Sequence, residues 1–277
     1  MNCLNCHHKN CKKYFLAGET EYYRCEACTL VFTDRLATTE YSSYHRFKEY
    51  QRWESYLKNH FSWIARQISS LNKGKKRILE IGCSVGYLLD VLRSEGHLVE
   101  GVEPSQNAAE FARSRGHKVI HGYFEETKIK NHRFDVIVAN HVFEHIKNPR
   151  QFLLTARRLL SEDSGYLVLL VPNFGSLEAQ LLKKYWRFLI ENEHYMQYTP
   201  VSISDVLSRS GFIVKRIKTT STVTGLGDYK KELLRCLLSD WKRLIFYVIE
   251  SPWALFQQFF NKGTNLLVIA QPVRKNL

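Results

Sequence analysis

The stretch RILEIGCSVG, Arg77 to Gly86, followed by Glu103 at the end of the next apolar run HLVEGVEP, decides the fold of this 277-residue chain. Arg77 to Ile81 predicts a short buried strand, Gly82 to Gly86 a tight turn, and Tyr87 to Arg93 an amphipathic helix with Leu88, Leu89 and Leu92 on one side. A strand, a glycine turn and a helix open an α/β unit, and open parallel sheets bind ligands outside the carboxyl ends of such strands.

The glycine spacing narrows the ligand. A dinucleotide fingerprint asks for glycines at 82, 84 and 87, but Ser84 and Tyr87 occupy two of those positions, which demotes NAD. What remains is Glu80 before the turn, Gly82 and Gly86 within it, and Glu103 after the next strand. A carboxylate at 103 has two acceptor oxygens that match the two hydroxyls of a ribose, and Glu80 suits a cationic amino-acid group. A cofactor with an adenosine end and a cationic amino-acid end is S-adenosylmethionine.

Outward from this unit the pattern continues. Tyr44 to Leu71 predicts a helix, with Phe47, Tyr50, Trp53, Leu57, Phe61, Ile64 and Ile68 at spacings of three or four, and Lys73 to Lys76 a polar linker. Ser105 is placed to cap a helix ending at Gly116, and HKVIH supplies a third strand. Phe134 to Ala139 is a fourth strand and Gly165 to Val171 a fifth. Thr199 and Pro200 start another helix, ended by Gly211; FIVKRI and then Asn265 to Gln271 complete the sheet.

The N-terminus carries a second signal. Cys3 and Cys6 form one C-x2-C pair and Cys25 and Cys28 another, a spacing that matches zinc ribbons and knuckles. Four thiolates close a tetrahedron around one structural ion, and zinc would contribute on the order of 10 kcal/mol to folding a module too small for its own core. His7, His8 and Cys11 are nearby spare ligands. No N-terminal apolar run resembles a signal peptide, and no uninterrupted apolar segment of about 18 residues is present. The expected compartment is therefore the cytoplasm, where metal binding is favoured over disulfides for the seven cysteines.

These residues together resemble the class I S-adenosylmethionine-dependent methyltransferases from about Lys76 onward. FDVIVANHVFEHIKNP, Phe134 to Pro149, is similar to the fourth strand and following motif of the subgroup that includes ubiquinone-type and sugar methyltransferases. The resemblance implies a Rossmann-like seven-stranded α/β sheet. By position, Glu103 would hold the ribose, Pro104 and Phe124 would flank the adenine, and the backbone of Gly82, Cys83, Ser84 and Gly86 would receive the methionine part, with Asn140 and His141 closing over it. Tyr123 stands where many relatives have an aspartate that reaches the adenine amino group. CLNCHHKN, EYYRCEACTLVF and EYSSYHRF resemble the zinc-binding domain in front of sugar methyltransferases of natural-product and surface-polysaccharide pathways, with Tyr41 and Tyr44 at the positions that lie over the active site. The expected domains are a ribbon at 1–43, a helical linker at 44–75 and the methyltransferase domain at 76–277, with a helical insertion at 228–260.

Methyl transfer from a sulfonium requires in-line approach of a nucleophile, and a hydroxyl nucleophile also needs a base. Histidine titrates nearest neutrality. His145 in VFEHI and His194 in ENEHYMQYTP follow the fourth and fifth strands and are the candidate bases, with Glu144, Glu191 and Glu193 as groups that would orient them. A purely structural hydrogen bond is the competing reading of His145.

The net charge is +13, and 215–277 holds eleven Lys and Arg against four Asp and Glu, so an excess of seven positive charges sits there. Such a surface selects an anionic partner: a nucleotide sugar, a phospholipid-linked sugar, an anionic membrane or RNA. In the insertion, Lys230, Lys231, Arg235, Lys242 and Arg243 flank an apolar helical face, and Ser251 and Pro252 cap a short aromatic helix with Trp253, Phe256, Phe259 and Phe260. An interfacial helix at the inner face of the membrane, a lid, a dimer face and simple core packing all fit that pattern. The function expected is O- or N-methylation of a sugar, glycolipid or polysaccharide intermediate. An rRNA methyltransferase and a non-catalytic scaffold are the alternatives; the ribbon lacks the basic and aromatic cluster expected for RNA.

Overall fold

The computed structural model describes residues 1–34, 54–127, 129, 133–162, 164–190, 193–221, 252–257 and 259–273. Three strands form at the N-terminus: β1 (Cys11–Ala17), β2 (Thr20–Cys25) and β3 (Val31–Phe32). The chain then runs through α1 (Glu54–Ser69), β4 (Arg77–Ile81), α2 (Tyr87–Ser94), β5 (Leu98–Glu103), α3 (Gln106–Ser114), β6 (Lys118–His121) and β7 (Val136–Asn140). Next come α4 (Pro149–Leu159), β8 (Tyr166–Pro172), α5 (Leu177–Leu182), β9 (Met196–Gln197), α6 (Pro200–Arg209), β10 (Phe212–Thr220) and β11 (Asn265–Pro272).

The large sheet has the expected seven strands, in the order β10-β11-β8-β7-β4-β5-β6. β4 pairs in parallel with both β5 and β7, so the chain builds outward in one direction through β6 and then restarts on the other side of β4. That reversal brings the turn after β4 and the turn after β7 side by side at the carboxyl edge, where such sheets open a crevice. Ile78, Leu79, Val136, Ile137 and Val138 are buried, as near-continuous apolar runs require in strands covered on both faces. β11 runs antiparallel between β8 and β10, and the insertion interrupts the chain between those last two strands.

Local signals explain the helix starts. The Ser105 side chain accepts from the Ala108 amide, Asn148 from Gln151, Ser176 from Ala179, and Thr199 and Ser202 cap each other reciprocally with Pro200 in the first turn. On α1, Phe61, Ile64, Ala65 and Ile68 pack onto Ile78, Leu88, Val136 and Val168, as the stripe predicts. Residues 35–53 lie outside the described residues, as do Phe47, Tyr50 and Trp53 of that stripe and Tyr41 and Tyr44. So do 222–251, which hold most of the insertion; 252–257 are helical.

The small sheet is not confined to the N-terminus. Its order is β1-β2-β3-β9, and β9 comes from the segment between β8 and α6. Val31 pairs with Gln197 and Phe32 with Met196, antiparallel, and the Thr33 amide donates to the Tyr195 carbonyl at 3.0 Å. Leu30, Phe32, Cys3, Cys25 and Cys28 belong to the same buried cluster as Ile137, Phe143, Tyr198 and Ile203. Among the described residues no helix is long and apolar enough to cross a membrane.

Candidate active site and cysteine centre

The turn after β4 spends its amides internally. Gly82 and Cys83 N–H both donate to the Val102 carbonyl, Ser84 N–H to a Glu103 carboxylate oxygen at 2.8 Å, and Gly86 N–H to the Cys83 carbonyl. These four donors are not available to cradle a phosphate, which agrees with the demotion of a dinucleotide. Gly82 has φ +69°, and a Cβ there would stand 2.5 Å from Cγ2 of Val142, so this glycine is required by backbone geometry and by close approach of the turn after β7. The Cys83 side chain points away into the core against Gly101 and Leu89, which leaves only its backbone at the crevice.

Glu103 is buried and held from both sides: one oxygen accepts from Ser84 N–H and the other from Ser105 N–H, each at 2.8 Å. Each oxygen keeps a second lone pair for a ribose hydroxyl. Burial pushes this carboxyl up, and the two amides oppose the shift. Glu80 is buried as well, with Oε2 lacking a hydrogen-bond partner. Desolvation and the neighbouring Glu103 charge push its carboxyl well above the usual range. An orphaned carboxyl oxygen beside a fixed carboxylate fits a ligand with a cationic end next to a diol. Pro104 follows Glu103 and its carbonyl accepts from His121 Nε2 at 3.0 Å. Phe124 packs on Phe152 at 5.0 Å and is 3% exposed, so most of its ring serves the core.

At the end of β7 the chain turns sharply. His141 has φ +53°, a left-handed conformation in which histidine is tolerated better than most residues, and its amide donates to the Leu170 carbonyl. A 3-10 turn, Phe143–His145, follows. Phe143 stacks on Tyr198 at 5.1 Å and contacts Phe152, which drives the turn inward and buries Glu144. His141 Nδ1 lies 3.2 Å from Glu144 Oε1, while Glu144 Oε2 has no hydrogen-bond partner. Burial raises the Glu144 carboxyl, but the His141 hydrogen bond and the charges of His141, His145 and His194 outweigh it and hold it down to about 2.

The two candidate bases are brought together. His145 and His194 meet edge to face at 4.5 Å, although they come from different loops. His145 Nδ1 is 2.9 Å from the Glu193 carbonyl and His194 Nδ1 is 2.9 Å from the Phe188 carbonyl. A carbonyl only accepts, so both Nδ1 atoms carry a proton. Desolvation, reinforced by His145 and His141 and opposed by Glu144, pushes His194 down to about 4, so it is neutral at pH 7. Glu193 contributes its backbone carbonyl to His145, and Glu191 lies outside the described residues.

His60 joins this site without having been singled out in the sequence. Desolvation together with His141 pushes it down to about 4, with Asn140 opposing the shift. Its signal is a polar residue on the apolar stripe of α1, three after Leu57 and four before Ile64. Phe188 also joins, stacking on His141 at 6.5 Å with an interplanar angle of 13°.

At the N-terminus Cys3 and Cys28 Sγ are 3.5 Å apart, as are Cys6 and Cys25, and all four sulfurs lie within 4.8 Å of one another. Tetrahedral zinc with Zn–S of about 2.3 Å sets sulfurs about 3.8 Å apart. The two knuckles repeat one backbone pattern. The Cys3 and Cys25 carbonyls accept from His7 and Thr29 N–H, the Cys3 and Cys25 amides donate to the His8 and Leu30 carbonyls, and His7 and Thr29 have φ +58° and +59°. A hydrogen bond from Cys3 holds the Cys28 thiol down to about 5, while Cys3 is pushed up. Cys11 stands apart, with its thiol on the His8 carbonyl. This donor set fits a structural zinc ion.

A family model described as a methyltransferase domain matches residues 46–216, more than half of the chain. The chain belongs to this methyltransferase family. An uncharacterized protein of Methanocaldococcus jannaschii is 27% identical over 183 residues, covering 64% of this chain and 82% of the relative. The ubiquinone biosynthesis O-methyltransferase of Bradyrhizobium diazoefficiens is 33% identical over 147 residues, 49% of this chain and 53% of that one, so the chain spans about half the length of that relative. The magnesium protoporphyrin IX methyltransferase of Synechocystis with bound SAH shares the fold, with a TM-score of 0.55 at 15% identity over 84% of this chain and 98% of the other. This methyltransferase uses S-adenosylmethionine, and the buried Glu80 and Glu103 carboxyls beside the Gly82 turn fit that cofactor.

Proposed function

We propose that this enzyme methylates an oxygen of an anionic sugar, glycolipid or polysaccharide intermediate, with a nitrogen acceptor as the variant of the same reading. The observation that carries it is the convergence of two imidazoles, His145 and neutral His194, with buried Glu144 hydrogen-bonded to His141. S-adenosylmethionine supplies an electrophilic methyl group on a sulfonium. Glu103 would hold the ribose, Glu80 the amino group, and the loop from Asn140 to His141 would lie between cofactor and acceptor. An acceptor hydroxyl placed at His145 and His194 gives its proton to an Nε2 lone pair as the oxygen attacks. General-base help of this kind contributes roughly 10²–10⁴-fold.

The sugar reading is supported by the four-cysteine module ahead of the sheet and by its sequence resemblance; the positive charge of the chain suits an anionic acceptor. Incubation with methyl-labelled S-adenosylmethionine and a panel of nucleotide sugars, lipid-linked sugars and RNA tests it. Label in a carbohydrate acceptor, falling about 10²-fold or more in His194→Ala with cofactor affinity retained, is expected. Label transferred to RNA alone would overturn the assignment.

A further inference from the structure

The same three side chains support more than proton transfer. We propose that Glu144, His145 and His194 form a second metal centre, holding one first-row divalent cation that binds the acceptor through its oxygen. This rests on the oxygen-acceptor reading above and changes the role of the two imidazoles from bases to ligands.

One ligand atom from each residue lies within 4.8 Å of the other two. Ligand atoms sharing a cation at about 2.0–2.2 Å stand about 3–4 Å apart, so closure asks for a shift of about an ångström. Both rings carry a proton on Nδ1, so Nε2 is the nitrogen each would offer a metal. Nδ1–H is committed to the Glu193 carbonyl in one and to the Phe188 carbonyl in the other, which orients each ring. The third donor is a carboxylate 1% exposed whose Oε2 has no hydrogen-bond partner, while Oε1 is oriented by His141 at 3.2 Å. A buried charged oxygen without a partner is costly, and a cation between it and two imidazoles removes that cost.

Two histidines and one carboxylate suit a first-row divalent metal and leave coordination positions for substrate. His141 and His145 beside Glu144 are partly exposed. An acceptor hydroxyl bound to the cation has its pKa lowered. Its proton passes to water, the oxygen keeps the electron pair and forms the new C–O bond, and the C–S bond breaks with its pair going to sulfur. The ligand class that follows is an acceptor with two neighbouring oxygens, which chelates the ion.

The test uses full-length protein with its cysteine centre loaded with zinc. Co2+ is titrated while visible absorption and calorimetry are recorded; a site of nitrogen and oxygen ligands lacks the thiolate charge-transfer bands of the cysteine centre. The expected result is one further Co2+ per chain, with affinity reduced at least tenfold in both Glu144→Gln and His194→Ala. S-adenosylmethionine titration of each variant confirms that it is folded. Wild-type protein that binds the cofactor but takes up no further Co2+ overturns the metal centre and leaves the methyltransferase assignment intact. Uptake that persists in variants that bind cofactor normally also overturns it.

Discussion

Phe32 of the cysteine module pairs with Met196, two residues beyond His194, so the small sheet reaches the loop that carries His194. On the cofactor side Gly82, Ser84 and Glu103 are braced by one another and by Val102, and among the described residues no strand of the small sheet pairs there. Disrupting the cysteine centre should therefore separate the two halves of function. Cys28→Ser is expected to lower bound zinc from one ion per chain and to cut methyl transfer at least tenfold, while S-adenosylmethionine affinity stays within about twofold. The loss reflects on the order of 10 kcal/mol of metal-linked folding energy in the ribbon. Elemental analysis and calorimetry on the same sample check it; equal loss of cofactor binding would refute the separation.

Replacing Glu103 should weaken the cofactor most. Both carboxylate oxygens are fixed by backbone amides, so the group is preorganised for a pair of charge-assisted bonds. Glu103→Ala is expected to cost about 2–3 kcal/mol in S-adenosylmethionine binding. Unchanged affinity in a calorimetric titration would remove the ribose assignment.

Glu80 predicts a proton linkage. Desolvation and Glu103 raise its carboxyl, so the apo enzyme holds a proton there to higher pH than an ordinary carboxyl does, and a cationic ligand favours the ionised form. Binding then releases the proton. Affinity should rise with pH above the ordinary carboxylate range and level off once the apo group has ionised. The same raised value stabilises the apo fold least at high pH, because the unfolded chain gives up this proton first. Calorimetry in buffers of different ionisation enthalpy should show proton release in wild type and none in Glu80→Gln.

Gly82→Ala combines two faults that can be resolved. The new Cβ would meet Val142 at 2.5 Å, and alanine at φ +69° is itself strained by about 1–2 kcal/mol. Thermal unfolding of Gly82→Ala, Val142→Ala and the double variant is expected to show the double less destabilised than the sum, because truncating Val142 relieves the clash but not the backbone. Strict additivity would mean that the two turns do not touch.

The aromatic residues that close the insertion are open to solvent. Trp253 stacks on Phe256 at 5.8 Å, Phe256 contacts Phe260, and Phe259 is 82% exposed. We propose that this aromatic cluster docks on anionic membranes, with Lys230, Lys231, Lys242 and Arg243 of the preceding sequence supplying positive charge. Liposome cosedimentation should need acidic lipid, weaken with salt and fall when those four residues become glutamine. Indifference to both salt and substitution would leave a core, lid or dimer role.

Much of this was legible in the chain. The β4 turn, the cap at Ser105, the start at Pro200 and both cysteine pairs each depend on a local rule, and each lies where the spacing put it. The two histidines were legible as residue types at an edge, but their 4.5 Å contact was not, since it is set by how two loops fold over Phe143 and Tyr198. His60 was hidden because its position on the stripe reads as core. β9 was invisible: two residues have no periodicity, and Met196 and Gln197 are strand only because Phe32 and Val31 lie beside them.

On the ribosome that shared edge sets an order of events. The cysteine contacts close loops of 25 and 19 residues and can form as soon as the first knuckles emerge, whereas Asn5 meets Asp205 across a separation of 200. The ribbon is thus ready early and must keep the outer side of β3 unpaired while the whole parallel sheet is synthesised. An exposed strand edge is a template for the wrong partner. The two-residue length of β3 limits that hazard, since so short an edge offers a second nascent chain little to grip.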